Sequence, residues 1–147
     1  MAIQLDVQFA VEDTNIPTVS EFKVWAEKIP SSDIDSSVCL RIVGEDEARD
    51  LNKRYRKIDK ATNVLSFPAD IPTELGLNFL GDVVICAPIV YREAQAQEKD
   101  LSSHWVHLLV HGILHLQGYD HDNEKHAEVM EALEIDTLER LGIKNPY

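Results

Sequence analysis

Positive charge is scarce in this chain. Its 147 residues carry 14 lysines and arginines against 26 aspartates and glutamates, a formal net charge of −12. That balance excludes a protein that coats nucleic acid through its overall field, so any contact with a polyanion must come from a local basic patch. Cysteine is nearly absent as well. Cys39 and Cys86 stand far apart, each in a β-like run and neither in a C-x-x-C pair, so both are expected as reduced core thiols of a cytosolic protein. No apolar run approaches the roughly 20 residues that span a bilayer. The start, Met1-Ala2-Ile3-Gln4-Leu5-Asp6, lacks the basic and apolar regions of a secretory signal. These absences leave out a membrane partner and make the cytoplasm the expected location.

What is present is an ordinary globular balance, 44% hydrophobic and 27% charged, in a length suited to one domain over 1–147. Residues 3–9 and 37–43 alternate apolar with polar side chains and predict strands. Residues 62–68 predict a short strand ended by Pro68, and the run Val83–Ala87 a strand buried on both faces. Helices are expected from Thr18 to Ile29, ended by Pro30-Ser31-Ser32-Asp33, then over 45–57, from Pro88 to Gln97, over 102–117 and over 123–141. Residues 69–79, with Pro72 and Gly76, read as a surface loop, a lid or a rim. The order β-α-β-α-β-β-α-α-α predicts a small α+β domain with about four strands in one mixed sheet and about five helices.

The chemistry concentrates in His111-Gly112-Ile113-Leu114-His115-Leu116-Gln117-Gly118-Tyr119-Asp120-His121. Two histidines four apart stack on one helical face. Gly118 can take a left-handed conformation, end the helix and swing His121 back toward the other two. Three imidazoles with an open fourth position make a catalytic rather than a structural metal site, most naturally for one Zn2+, with Ni2+ or another divalent transition metal as alternatives. The helix carrying them is apolar nearly all round, from Trp105 to Leu116, and should be buried. Its polar line is His104, His107, His111 and His115. His104 and His107 suit supporting or packing roles. Asp120 is placed to orient an imidazole or to cap the helix that follows.

The spacing matches the metzincin protease pattern H-E-x-x-H-x-x-G-x-x-H, with one difference: the general-base glutamate is replaced by Gly112. Glycine takes no proton from water, so the residues support the metal and argue against the protease. The helix over 45–57 supplies the missing positive charge. Arg49, Lys53, Arg56 and Lys60 lie on one line, with Lys57 beside it and Arg54 nearer an apolar stripe of Ala48, Leu51 and Tyr55. A charge run is usually a solvated face. Here its density in an acidic chain points to an anion-binding patch. Arginine holds phosphate in a planar fork, and Arg56 is the first candidate for stabilising charge on a phosphoryl group.

Several stretches, in order, resemble the YbeY family of bacterial endoribonucleases: YRKIDKATNVLSFP at 55–68, GDVVIC at 81–86, the neighbourhood of Ser103-His104-Trp105 and His107, and HGILHLQGYDH at 111–121. The resemblance implies a metal-dependent endoribonuclease that cuts single-stranded RNA, with a part in forming the 3′ end of small-subunit ribosomal RNA and in ribosome quality control. It implies His111, His115 and His121 as metal ligands, Arg56 as the important arginine and Asp82 as a cleft residue. It also implies the small ribosomal subunit, its proteins and a ribosome-assembly GTPase as partners. Lys57, Ala61 and His126 depart from the family pattern, where a small residue, a proline and an acid are expected. No carboxylate stands out as general base; metal-activated water alone, Asp82 and a spare histidine are the candidates. Two other classes fit parts of the pattern: a non-catalytic ribosome-assembly factor and, less well, a metalloprotease.

Overall fold

The computed structural model describes residues 3–31, 35–69 and 78–147. Most of the expected loop over 69–79, with Pro72 and Gly76, lies outside them, as do Ser32 and Asp33. The order of elements is the expected one. Strand β1 (Ile3–Phe9) and helix α1 (Val19–Glu27) come first, then β2 (Ser36–Val43) and α2 (Glu45–Arg56). The hairpin partners β3 (Val64–Pro68) and β4 (Phe79–Cys86) follow, then α3 (Ala87–Ala96), α4 (Leu101–Leu116) and α5 (Glu124–Arg140).

The four strands form one mixed sheet in the order β1-β2-β4-β3, parallel from β1 to β4 and antiparallel between β4 and β3. Alternation divides the side chains of the central strands between two faces. Val38, Leu40 and Ile42 of β2 and Val83 and Ile85 of β4 join the larger core with α1, α4 and α5. Val43, Val84, Cys86 and Leu65 pack on the opposite face with Ala48 of α2. One consequence for the expected site follows from parity: Asp82 shares the face of Val84 and Cys86, away from α4.

Local signals set the helix ends. Thr18 and Glu21 form a reciprocal capping box at α1, with Glu21 N–H on Thr18 Oγ1 at 3.2 Å and Thr18 N–H on Glu21 Oε1 at 3.1 Å. The cap of α4 is Asp100, which accepts from Ser103 N–H at 3.1 Å, rather than Ser102 or Ser103, because the helix begins a residue earlier than expected. Asn123 caps α5 by accepting from His126 N–H at 2.8 Å, so Asp120 is not that cap.

Helix α4 is buried along most of its length. Trp105 meets Phe22 of α1 edge-on at 5.7 Å, and Leu109, Ile113 and Leu114 have no solvent exposure. Gly112 lets this helix lie directly on the sheet. A Cβ there would stand 2.8 Å from Val83 Cγ1 and 3.3 Å from Ser66 Oγ, and Ser66 Oγ–H donates to the Gly112 carbonyl at 3.0 Å. The position that holds the general base in a metzincin is thus pressed against β3 and β4. A glutamate side chain would have to displace the sheet to fit.

Candidate metal centre

The line of histidines on α4 becomes a cluster because the chain reverses just past the helix. Gly118 takes φ +97°, and the turn is closed by Gly118 N–H to His115 O at 3.0 Å and Tyr119 N–H to Leu114 O at 3.2 Å. His121 is carried back over the last turn of α4. The ring centroids are 4.6 Å apart for His111 and His115, 5.1 Å for His115 and His121 and 5.5 Å for His111 and His121. One nitrogen of each ring lies within 4.8 Å of the others.

The donor set fits a tetrahedral divalent ion. His111 Nε2 and His115 Nε2 are 3.1 Å apart, close to the roughly 3.3 Å that separates two imidazole ligands of tetrahedral zinc. Burial pushes the His115 pKa below its ordinary value, and the neighbouring His111 and His121 push it further, so the ring stays neutral with a lone pair to offer.

His111 is oriented from behind by a residue that sequence reading did not single out. Glu134 of α5 has no solvent exposure. Its Oε1 accepts from His111 Nδ1–H at 2.6 Å, while Oε2 accepts from His107 Nε2–H at 3.0 Å and from the Tyr147 hydroxyl at 2.5 Å. Burial alone would raise the Glu134 pKa, but the bonds from His107, His111 and Tyr147 outweigh it and hold the carboxyl at about 2. An ionised carboxylate only accepts, so the proton of His111 is fixed on Nδ1 and its Nε2 lone pair faces the cluster. Burial and the Glu134 carboxylate in turn raise the Tyr147 pKa above its ordinary value.

The other histidines divide as expected. His107 bonds Glu134 and stands edge-on to His111, with ring centroids 6.4 Å apart. His104, 5% exposed, bonds Glu93 at 3.0 Å, and Glu93 also accepts from Asn63 Nδ2–H at 3.0 Å. Burial pushes the His104 pKa below its ordinary value against the pull of Glu93. A histidine with a depressed folded pKa takes up its proton more readily when unfolded, so its stabilisation is complete above the unfolded pKa of about 6.5 and is lost as pH falls through the folded value. Urea titrations in chelator from pH 7.5 to 5 should show wild type losing stability below about pH 6.5 more steeply than His104→Gln.

The three histidines open into a cleft of about 710 Å3, also lined by Tyr55, Arg56, Thr62, Asn63, Phe67 and Asp120. Asp120 bonds its own neighbour, with Oδ1 at 2.7 Å from His121 N and 3.4 Å from His121 Nδ1. Of the basic residues expected at the site, the cleft takes only Arg56, which has no ion-pair partner among the described residues. Arg49 is paired with Asp59 at 2.7 Å and Arg54 with Asp50 at 3.1 Å. Lys53, Lys57 and Lys60 are exposed and do not line the cleft. The helical line is real, but it continues past the end of α2, where Lys57 turns left-handed at φ 62° and carries Lys60 off the axis. Asp82 does not line the cleft either. It sits on the α2 face of the sheet, directly across from Cys39 on β2, and after burial its charge is the next cause of that thiol's raised pKa. The buried line of α2 also differs from expectation: Ala48 and Asn52 are buried, whereas Tyr55 is 64% exposed beside the cleft.

Comparison with known proteins agrees over nearly the whole chain. The family model described as endoribonuclease YbeY matches residues 7–142. A curated relative from Colwellia psychrerythraea, named endoribonuclease YbeY, is 46% identical over 152 aligned positions, covering 100% of this chain and 98% of the relative. A second, of the same name from Cellvibrio japonicus, is 48% identical over 146, covering 98% of this chain and 82% of the relative. The solution structure of TM1509 from Thermotoga maritima shares the fold, with TM-score 0.61 at 24% identity over 95% of this chain and 91% of that one. Sequence, fold and the histidine cluster point the same way, and the chain belongs to the YbeY family.

Proposed function

We propose that this chain, acting as one domain, is a zinc-dependent endoribonuclease that hydrolyses phosphodiester bonds of single-stranded RNA. Its cellular task on this reading is forming the 3′ end of small-subunit ribosomal RNA, in contact with that subunit and its proteins. The observation that carries it is the sharing of one cleft by three metal-competent imidazoles and the Arg56 guanidinium, which has no ion-pair partner among the described residues. The names of the two curated relatives support the reaction class.

His111, His115 and His121 would hold the ion, which when bound would supply Lewis acidity and make a water more acidic. The protein's own groups do the rest. Glu134 keeps His111 in the ligating tautomer, and Asp120 bonds His121. Arg56 forks the non-bridging phosphate oxygens as negative charge grows on them. Val64 and Ser66 of β3 line the cleft on the α4 side of the sheet, and Phe67 lines it from the other side of the same edge strand. Asp120 is the carboxylate at the rim of the cleft that can carry a proton to solvent, in place of the glutamate that Gly112 replaces.

The test is cleavage of an end-labelled single-stranded RNA by purified protein. Chelator should stop cleavage and zinc should restore it. Arg56→Ala should keep its metal yet cut about a hundredfold more slowly, the effect of removing one preorganised donor from a developing oxyanion. Cleavage that survives complete metal removal would overturn the reading. RNA binding without cleavage would instead favour a ribosome-assembly factor.

A further inference from the structure

Tyr55 is more exposed, at 64%, than any other large apolar side chain among the described residues. The backbone that carries it is pinned. Helix α2 ends just after it, with the Lys57 N–H on the Asn52 carbonyl, and the buried Asn52 side chain donates to the Lys60 carbonyl at 2.7 Å, pinning the turn that follows. One ring supports it: Phe67 of β3, edge-on, with centroids 5.1 Å apart and planes at 64°. Both rings line the cleft of the three histidines, and so does Arg56, the next residue along.

A water-exposed aromatic ring, backed by a second ring and next to a guanidinium with no ion-pair partner among the described residues, matches two chemistries at once. One is a flat, apolar π-surface and the other an anion, joined at the spacing of adjacent side chains. A nucleotide of an unpaired strand offers both, through its base and its phosphate. We infer that Tyr55, backed by Phe67, is the stacking platform for one unpaired base of the RNA strand whose phosphate Arg56 holds. This rests on the ribonuclease reading and goes beyond it by assigning the base subsite. It gives the choice of single strands a physical source. In a duplex both faces of each base are covered by its neighbours, so the platform has nothing to stack on. Every base has a π-face, so the platform is tolerant of sequence.

The experiment is binding of a short single-stranded RNA carrying 2-aminopurine, in chelator so that no strand is cut. Wild type and Tyr55→Phe should quench the fluorophore and bind alike. Tyr55→Leu should bind about tenfold more weakly, the usual effect of losing one stacked base, and should lose the quenching. The matching duplex should bind poorly to all three. Thermal melts should coincide, because the ring replaced is mostly in water. Equal affinity and equal quenching in Tyr55→Leu would overturn the platform, as would the absence of any binding to wild type. Cleavage is scored separately. Wild type that cuts RNA while Tyr55→Leu binds unchanged removes the platform alone. Quenching lost in Tyr55→Leu when wild type never cuts removes the ribonuclease reading alone.

Discussion

His115→Ala should yield a folded protein that holds no ion tightly and cuts no RNA. His115 offers its nitrogen to the cluster from the last turn of α4, and the rings on either side, His111 and His121, cannot close around an ion without it. Losing one of three imidazole ligands should weaken zinc binding by on the order of a hundredfold or more. The fold should survive, because the apolar side chains that bury α4, Trp105, Leu109, Ile113 and Leu114, lie on other faces of the helix. Metal content after gel filtration, the circular dichroism spectrum and RNA cleavage, read on one preparation, check all three statements. A variant that keeps full cleavage would show that the cluster is not the reacting centre.

Glu134→Gln should have the next largest effect, and it should show in two independent quantities. The carboxylate accepts three hydrogen bonds, from His111, His107 and Tyr147. A glutamine of nearly equal volume has one oxygen, and its amide hydrogens face donors. At least one buried donor is left without an acceptor, which costs about 1–3 kcal/mol of stability in urea unfolding. The preference for a proton on His111 Nδ1 is lost as well, which should weaken metal binding by about 10–100-fold in a chelator competition. Tyr147→Phe removes one donor and leaves the carboxylate, so it should move both quantities in the same direction by less. Unchanged affinity in Glu134→Gln would show that His111 needs no support from α5.

Much of this architecture was legible because short periods govern it. Alternation in 3–9 and 37–43 marked two strands, and the four-residue spacing of His111 and His115 with a glycine three further on foretold the turn that brings in His121. Glu134 was missed although a signal existed. Met130, Glu134 and Leu138 are successive members of one four-residue line, and both flanking residues are buried. A carboxylate on a buried line must have partners, and the nearest basic line in the chain is that of α4. The same kind of spacing predicts Tyr55 on an inward stripe with Ala48 and Leu51. It is outward because the sheet ends at β3, which is an edge strand, so the last turn of α2 overhangs its rim. Asp82 shows a different limit. Its parity with Val84 was readable, but which face of β4 meets α4 is decided by long-range packing. The pairing of Arg49 with Asp59 and of Arg54 with Asp50 likewise removed two charges from a patch that the linear pattern counted in full.

Those two ion pairs have a consequence for how the protein meets a polyanion in salt. Each phosphate that a basic group neutralises on a single strand releases counterions and contributes about −0.7 to the logarithmic dependence of affinity on salt concentration. With Arg49 and Arg54 already neutralised by their own aspartates and Arg56 alone at the cleft, that slope should be shallow. The long-range field of a −12 chain meanwhile repels RNA and is screened as ionic strength rises. The two trends oppose each other. Encounter with the strand should therefore be set by contact at short range rather than by electrostatic steering.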